Sequence, residues 1–181
     1  MDSFKRLPRP FFVLAPMDDV TDTVLRRIVA DCAPPDLFFT EFVNVDGLQS
    51  RGRPRLMHKL TFTPKEQPLI AQIWGKTPAN YEKVAAELVD MGFAGVDINM
   101  GCPMAKVNGS GGGARLMCNV DCAVTMVSRV LEAVDLPVTV KMRLGWDSAA
   151  ITAPELAAAF ENIGVAAVTI HGRTRSQGFH G

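Results

Sequence analysis

A cysteine occupies the string Asn99-Met100-Gly101-Cys102-Pro103, where the β-branched run Val96–Met100 gives way to a glycine-rich loop. A thiol with an ordinary pKa of about 8.5 is mostly protonated at neutral pH, so Cys102 is a candidate general acid. The bland alternative is a buried structural cysteine, the commoner fate of this residue type. Lys141 lies in Val138–Leu144, which otherwise reads as buried core. An unpaired ammonium is costly to bury, so it should face a cavity and meet an anion or an electron-rich ring. The alternative is an ion pair with Asp97 or Glu41. Arg143 follows two residues later. Asp97 and Asn99 alternate with Val96, Ile98 and Met100, and Thr169, His171 and Arg173 repeat the pattern. Period two puts each polar set on one side of a strand. Glu41 and Gln72 hold similar late positions. A lone histidine such as His171 is more often a satisfied polar group than a functional one.

The runs that carry these residues are Phe11–Ala15, Leu37–Val43, Leu69–Trp74, Val96–Met100, Val138–Leu144 and Ala167–His171. They recur about every 30 residues, the size of a βα unit. Helix-period segments lie between them. Tyr81, Val84, Ala85 and Leu88 share one face, as do Val120, Val124, Val127, Leu131 and Val134, and Leu156, Phe160 and Ile163. Thr77-Pro78 reads as a helix start and Thr152 with Glu155 as a capping box. Gly92 and Gly164 read as left-handed helix ends.

Strands alternating with helices imply a parallel α/β sheet. Polar groups at the C-terminal ends of six strands describe the mouth of a (β/α)8 barrel. A doubly wound sheet would gather its site at one switch point behind a Gly-rich first turn, and the first turn here is APMDDVTD. The expected fold class is therefore α/β, an incomplete TIM barrel with about six of eight βα units. The chain is expected to be a fragment whose first and sixth strands form apolar edges, poorly folded without the rest of the barrel.

Composition narrows the function classes. The chain has 181 residues, with 19 Lys and Arg against 19 Asp and Glu, so overall charge gives no support for nucleic-acid binding. The first apolar run is broken by Pro16 and Asp18, too short for a signal peptide or a membrane span, and a cytoplasmic location is expected. Cys32, Cys102, Cys118 and Cys122 form no C-x-x-C pair, so no metal site is expected. Gly109–Gly113 lacks the endings of a phosphate loop and reads as a flexible lid. Arg51, Arg53, Arg55, His58 and Lys59 form a basic cluster, either an RNA contact or an ordinary solvated loop.

The stretch DINMGCPMAKVNGSGGGARLM resembles the signature of tRNA-dihydrouridine synthases. APMDDVTD, TEF, AQIWG, VKMRLGWD and HGRTRSQGFHG agree with that family in order and spacing, from Phe12 to Gly181. The resemblance implies residues 1–181 as part of an FMN-binding barrel that a helical tRNA-binding domain follows. It implies reduction of uridine in tRNA to 5,6-dihydrouridine, with FMN recharged by NADPH, in a monomeric enzyme. Cys102 matches the family's proton donor to uracil C5. Pro16, Met17, Asp18, Gln72, Lys141 and His171 match flavin-contacting positions, and Asn99 and Arg143 match residues that contact the target nucleotide. Arg173 and Arg175, at the barrel mouth, are the better RNA candidates.

Two other readings compete. One is a different FMN barrel oxidoreductase resembling dihydroorotate dehydrogenase, which also works on a pyrimidine C5–C6 bond. The other is a non-enzymatic remnant, inert or a binding module.

Overall fold

A computed structural model describes residues 7–178 and residue 180. Phe179 and Gly181, at the end of HGRTRSQGFHG, lie outside the described residues. Seven strands form one parallel sheet: β1 (Val13–Leu14), β2 (Leu37–Phe39), β3 (Val43–Asn44), β4 (Leu69–Trp74), β5 (Gly95–Met100), β6 (Val138–Arg143) and β7 (Ala167–His171). The path is β1-β2-β4-β5-β6-β7, with β3 also on β4. β2 and β3 are thus two halves of one strand, and the sheet is the curled half-barrel of six strands that the polar strand ends imply.

The break between β2 and β3 has a visible cause. Thr40 Oγ1 accepts the Gln72 N–H at 3.0 Å and donates to the Glu41 carbonyl at 2.7 Å. A side-chain oxygen thus takes one ladder bond, and the regular strand is interrupted between Phe39 and Val43.

The helices are α1 (Thr23–Cys32), α2 (Val45–Leu48), α3 (Pro78–Asp90), α4 (Ala105–Gly109), α5 (Val120–Ala133) and α6 (Ala153–Asn162). α3 packs on α5 and α5 on α6. Val96, Ile98, Met100, Val138, Val140 and Met142 join the helix faces in one apolar core. The alternate residues of β4, β5 and β6 point to the other side.

The expected faces of α3 and α6 are in the core, with Ile163 only half-buried. The face of α5 is shifted. Ala123, Met126, Val127 and Val130 are buried, while Val120, Val124, Leu131 and Val134 only flank the core. The run of valines hid a buried stripe containing a small residue. Gly92 and Gly164 take left-handed conformations, as expected. The capping box does not form. Thr152 has helical backbone angles and its hydroxyl lacks a partner. Caps instead come from Asp22, Asn44 and Asn119, each accepting from a backbone N–H three residues on.

β1 and β7 are the edges, and Phe12, Val13 and Ile170 are exposed there. A buried ion pair braces the fold. Arg26 Nε meets Glu66 Oε2 at 2.7 Å, with both side chains fully buried. Arg26 also donates to the Thr21 and Thr61 carbonyls.

Candidate active site

Strand register brings the polar residues into rows. Gln72, Asp97 and Thr139 are side by side across β4, β5 and β6. Asn99, Lys141 and Thr169 form the next row, and Arg143 faces His171 in a third. Same-register residues of parallel strands project to the same side.

Hydrogen bonds join the first two rows. Thr139 Oγ1 donates to Asp97 Oδ1 at 2.5 Å, and Gln72 Nε2 donates to Asp97 Oδ2 at 2.6 Å. Asn99 Nδ2 donates to Gln72 Oε1 at 2.8 Å. Asn99 Oδ1 accepts the backbone N–H groups of Gly101 at 3.1 Å and Cys102 at 2.9 Å. A chain of polar groups therefore runs from the buried Asp97 to the turn holding the thiol. Burial pushes the Asp97 carboxyl up to about 6, against the Thr139 and Gln72 hydrogen bonds and the Lys141 charge.

Cys102 is 8% exposed, and burial raises its thiol above the ordinary pKa. Gly113 packs directly on it, since a Cβ there would lie 3.2 Å from Cys102 Cβ and 3.0 Å from its carbonyl oxygen. Gly112 is equally tight, 2.9 Å from Trp74. The lid expected over Gly109–Gly113 is thus corrected in its second half. Gly112 and Gly113 are buried packing positions, and only Gly109 has open space around it.

Lys141 makes no ion pair among the described residues, so the pairing with Asp97 or Glu41 is not formed. Burial lowers its pKa, with Arg143 adding repulsion and Asp97 opposing. Glu41 instead belongs to Lys59, at 3.2 Å, and accepts the Asp19 N–H at 2.7 Å. Lys59 also pairs with Asp18 and Asp19, and its side chain is only 12% exposed. It is therefore not an RNA-facing cation. It ties the loop after β1 to the break between β2 and β3. Arg53 is likewise paired, with Glu87 at 2.7 Å. Arg143 donates to the carbonyls of Gly101 (2.8 Å), Thr174 (3.1 Å) and Gly178 (3.2 Å). It thus joins the loops after β5 and β7.

One cavity of about 360 Å³ gathers Pro16, Asp18, Gln72, Asn99, Cys102, Lys141 and Arg143. Phe42, Gly101, Pro103 and Met104 complete its lining. Phe42 was missed, although TEF places it at a strand end. It meets Trp74 edge-on, with centroids 6.4 Å apart. Three expected residues are not in this lining. Met17 is 43% exposed nearby. His171 lies half-buried at the end of the edge strand β7, where burial and the charges of Arg143, Lys141 and Arg173 lower its pKa. Arg173 is beyond it, and its carbonyl accepts the Leu144 N–H.

A parallel half-barrel with a thiol, an amide pair and an ammonium in one cavity at the strand ends defines a TIM-type α/β protein with an enzyme-like site. Solved structures agree on the fold. A variant of NCR from Zymomonas mobilis has a TM-score of 0.57 at 17% identity, over 89% of this chain and 64% of that one. The carboxyl transferase domain of Rhizobium etli pyruvate carboxylase has a TM-score of 0.53 at 19% identity, over 84% of this chain and 24% of that one.

Residues 13–181 match the family model described as dihydrouridine synthase, and the chain belongs to that family. It is 46% identical over 144 residues to a probable tRNA-dihydrouridine synthase 2 of Bacillus subtilis (strain 168), covering 79% of this chain and 44% of that protein. It is 42% identical over 175 residues to a probable tRNA-dihydrouridine synthase of Staphylococcus aureus (strain COL), covering 96% and 53%. The chain thus spans about half the length of the curated relatives it matches. Family membership decides between the two flavin-barrel readings. No helix among the described residues is long and apolar enough to cross a membrane.

Proposed function

We propose that this chain forms part of the FMN-binding catalytic barrel of a cytoplasmic tRNA-dihydrouridine synthase, which reduces the C5–C6 double bond of uridines in tRNA with NADPH as the ultimate reductant. The observation that carries this reading is the buried Cys102 thiol, on a turn whose backbone N–H is held by Asn99, in one cavity with Lys141, which has no ion-pair partner among the described residues.

The residues present suit a flavin ring. Pro16 and Phe42 offer apolar walls, Gln72 an amide, and Lys141 a half-buried positive charge without a carboxylate partner. FMN, when bound, supplies the hydride that uracil C6 receives. Cys102 gives its Sγ–H proton to C5, and solvent then restores the thiol. Burial, which raises the thiol pKa, keeps that proton available at neutral pH. Lys141 would hold a bound flavin ring and balance negative charge there. Asn99 fixes the Cys102 turn, and Arg143 holds the loops around the target base.

The test incubates dihydrouridine-free tRNA with the protein, FMN and NADPH and counts dihydrouridine by mass spectrometry. Cys102→Ala should retain the flavin spectrum and lose roughly 10²–10⁴-fold in rate. Near-normal turnover in that variant removes Cys102 from the chemistry. A protein that neither takes up FMN nor makes dihydrouridine favours the non-enzymatic reading.

A further inference from the structure

A second cavity, of about 400 Å³, adjoins the segment that follows the thiol. Ala105, Asn108, Gly109, Arg115, Trp146 and Arg175 line it, and none of these is acidic. It meets the active-site cavity at consecutive residues, since Met104 lines one and Ala105 the other. Arg115 and Arg175 both stack on the Trp146 ring, with guanidinium carbons 5.4 and 4.6 Å from its centroid. Backbone bonds from Arg175 N–H to the Gly145 carbonyl (2.9 Å) and from Ser176 N–H to the Trp146 carbonyl (2.9 Å) hold the loops after β6 and β7 together there.

Two buried donors at this cavity lack partners, Asn108 Nδ2 and Arg175 Nε. Asn108 is 8% exposed, and its amide orientation is set because Oδ1 accepts the Arg115 backbone N–H at 3.0 Å. A buried donor without an acceptor is costly, and this cavity has room for an acceptor beside both donors. With two guanidiniums and no carboxylate in its lining, the cavity suits an anion of phosphate type.

We propose that this cavity binds a backbone phosphate of the tRNA substrate, anchoring the strand next to the nucleotide that enters the Cys102 cavity. The choice of tRNA as the source rests on the function proposed above. The shared wall at Met104–Ala105 supports it, because a target base and a phosphate of the same strand would straddle one short segment.

Trp146 fluorescence, isolated by Trp74→Phe, reports the site directly. Inorganic phosphate should change it in the otherwise unaltered protein and fail to do so in Arg175→Ala and Asn108→Asp. Asn108→Asp keeps the acceptor for Arg115 N–H but replaces the amide donor by a repelling carboxylate, and thermal melting confirms that it folds. Binding of tRNA to Arg175→Ala should weaken about 10-fold, with the slope of log affinity against log salt smaller by about 1. A Trp146 signal indifferent to phosphate overturns the site, whatever tRNA does. A response to phosphate from a protein that never binds tRNA leaves the site standing and overturns the tRNA source together with the function on which it rests. A raised KM for NADPH in Arg175→Ala with unchanged tRNA affinity assigns the phosphate to the reductant and overturns the tRNA source.

Discussion

The side-chain carbonyl of Asn99 accepts the backbone N–H of Cys102 at 2.9 Å, while its amide donates to Gln72 Oε1 at 2.8 Å. Asn99 therefore acts on the thiol through the backbone, as a positioning residue, in addition to lining the cavity. Replacing it by Ala leaves the two turn N–H groups and Gln72 Oε1 short of a partner, at a cost of roughly 1–3 kcal/mol. Asn99→Ala should lower stability by that amount in urea unfolding. It should also speed alkylation of Cys102, followed by peptide mass spectrometry because Cys32, Cys118 and Cys122 are exposed. An unchanged alkylation rate at Cys102 would show that the turn holds without Asn99.

Gly113 and Gly109 belong to one glycine run yet should respond oppositely to the same change. Gly113 has φ +58, and a Cβ on it would lie 2.7 Å from Val107 Cγ1 as well as against Cys102. A Cβ on Gly109 meets nothing within 4 Å. Gly113→Ala should destabilise the protein by roughly 1–3 kcal/mol through strain and overpacking. Gly109→Ala should be near neutral or slightly stabilising. Equal melting temperatures for the two variants would restore the lid reading of the whole run.

The strand ends were legible because polar residues at every second position of an apolar run must share one side of a strand, away from the helices. Gln72, Asp97, Asn99, Lys141 and Arg143 all reached the cavity side of the sheet. What the sequence concealed were partners distant along the chain. Lys59 reads as one of a basic cluster, but three carboxylates from the loops after β1 and β2 surround it. Arg26 and Glu66 are 40 residues apart in the chain, and only tertiary packing joins them. The glycine run failed for a related reason. Glycine serves both flexibility and close approach, and the neighbour that decides between them, Cys102, is brought there by the fold.

Lys141 holds an ammonium that burial disfavours, without an ion-pair partner among the described residues. Methionine has a similar length and no charge to desolvate. Lys141→Met should therefore melt no lower than the parent when FMN is absent. With FMN, the same substitution should weaken binding at least about 10-fold in a visible-absorbance titration, the loss of one charge-assisted contact. Undiminished FMN affinity would remove Lys141 from the cofactor site. A marked fall in melting temperature without FMN would show that the ammonium has a structural partner.

Asp97 gives the protein a pH dependence opposite in sign to that of an ion-paired carboxylate. Its ordinary pKa of 3.8 is pushed up to about 6, first by burial, against hydrogen bonds and the Lys141 charge that pull it down. The unfolded chain releases this proton near pH 3.8, whereas the folded chain keeps it to about pH 6. Folding takes up a proton between those values. The contribution of Asp97 is thus most favourable below about pH 3.8, falls by about 3 kcal/mol as pH rises through the window, and is constant above it. Other carboxylates titrate over the same range, so the quantity to measure is the stability difference between the parent and Asp97→Asn. In urea unfolding that difference should favour the parent by about 2 kcal/mol more at pH 4 than at pH 7. Because Asp97 anchors the Gln72–Asn99 chain that ends on the Cys102 turn, Cys102 alkylation in the parent should also change between pH 5 and pH 7 beyond the ordinary ionisation of a thiol. A stability difference that is flat from pH 4 to pH 7 would mean that Asp97 releases its proton at an ordinary pKa and that burial is offset by its partners.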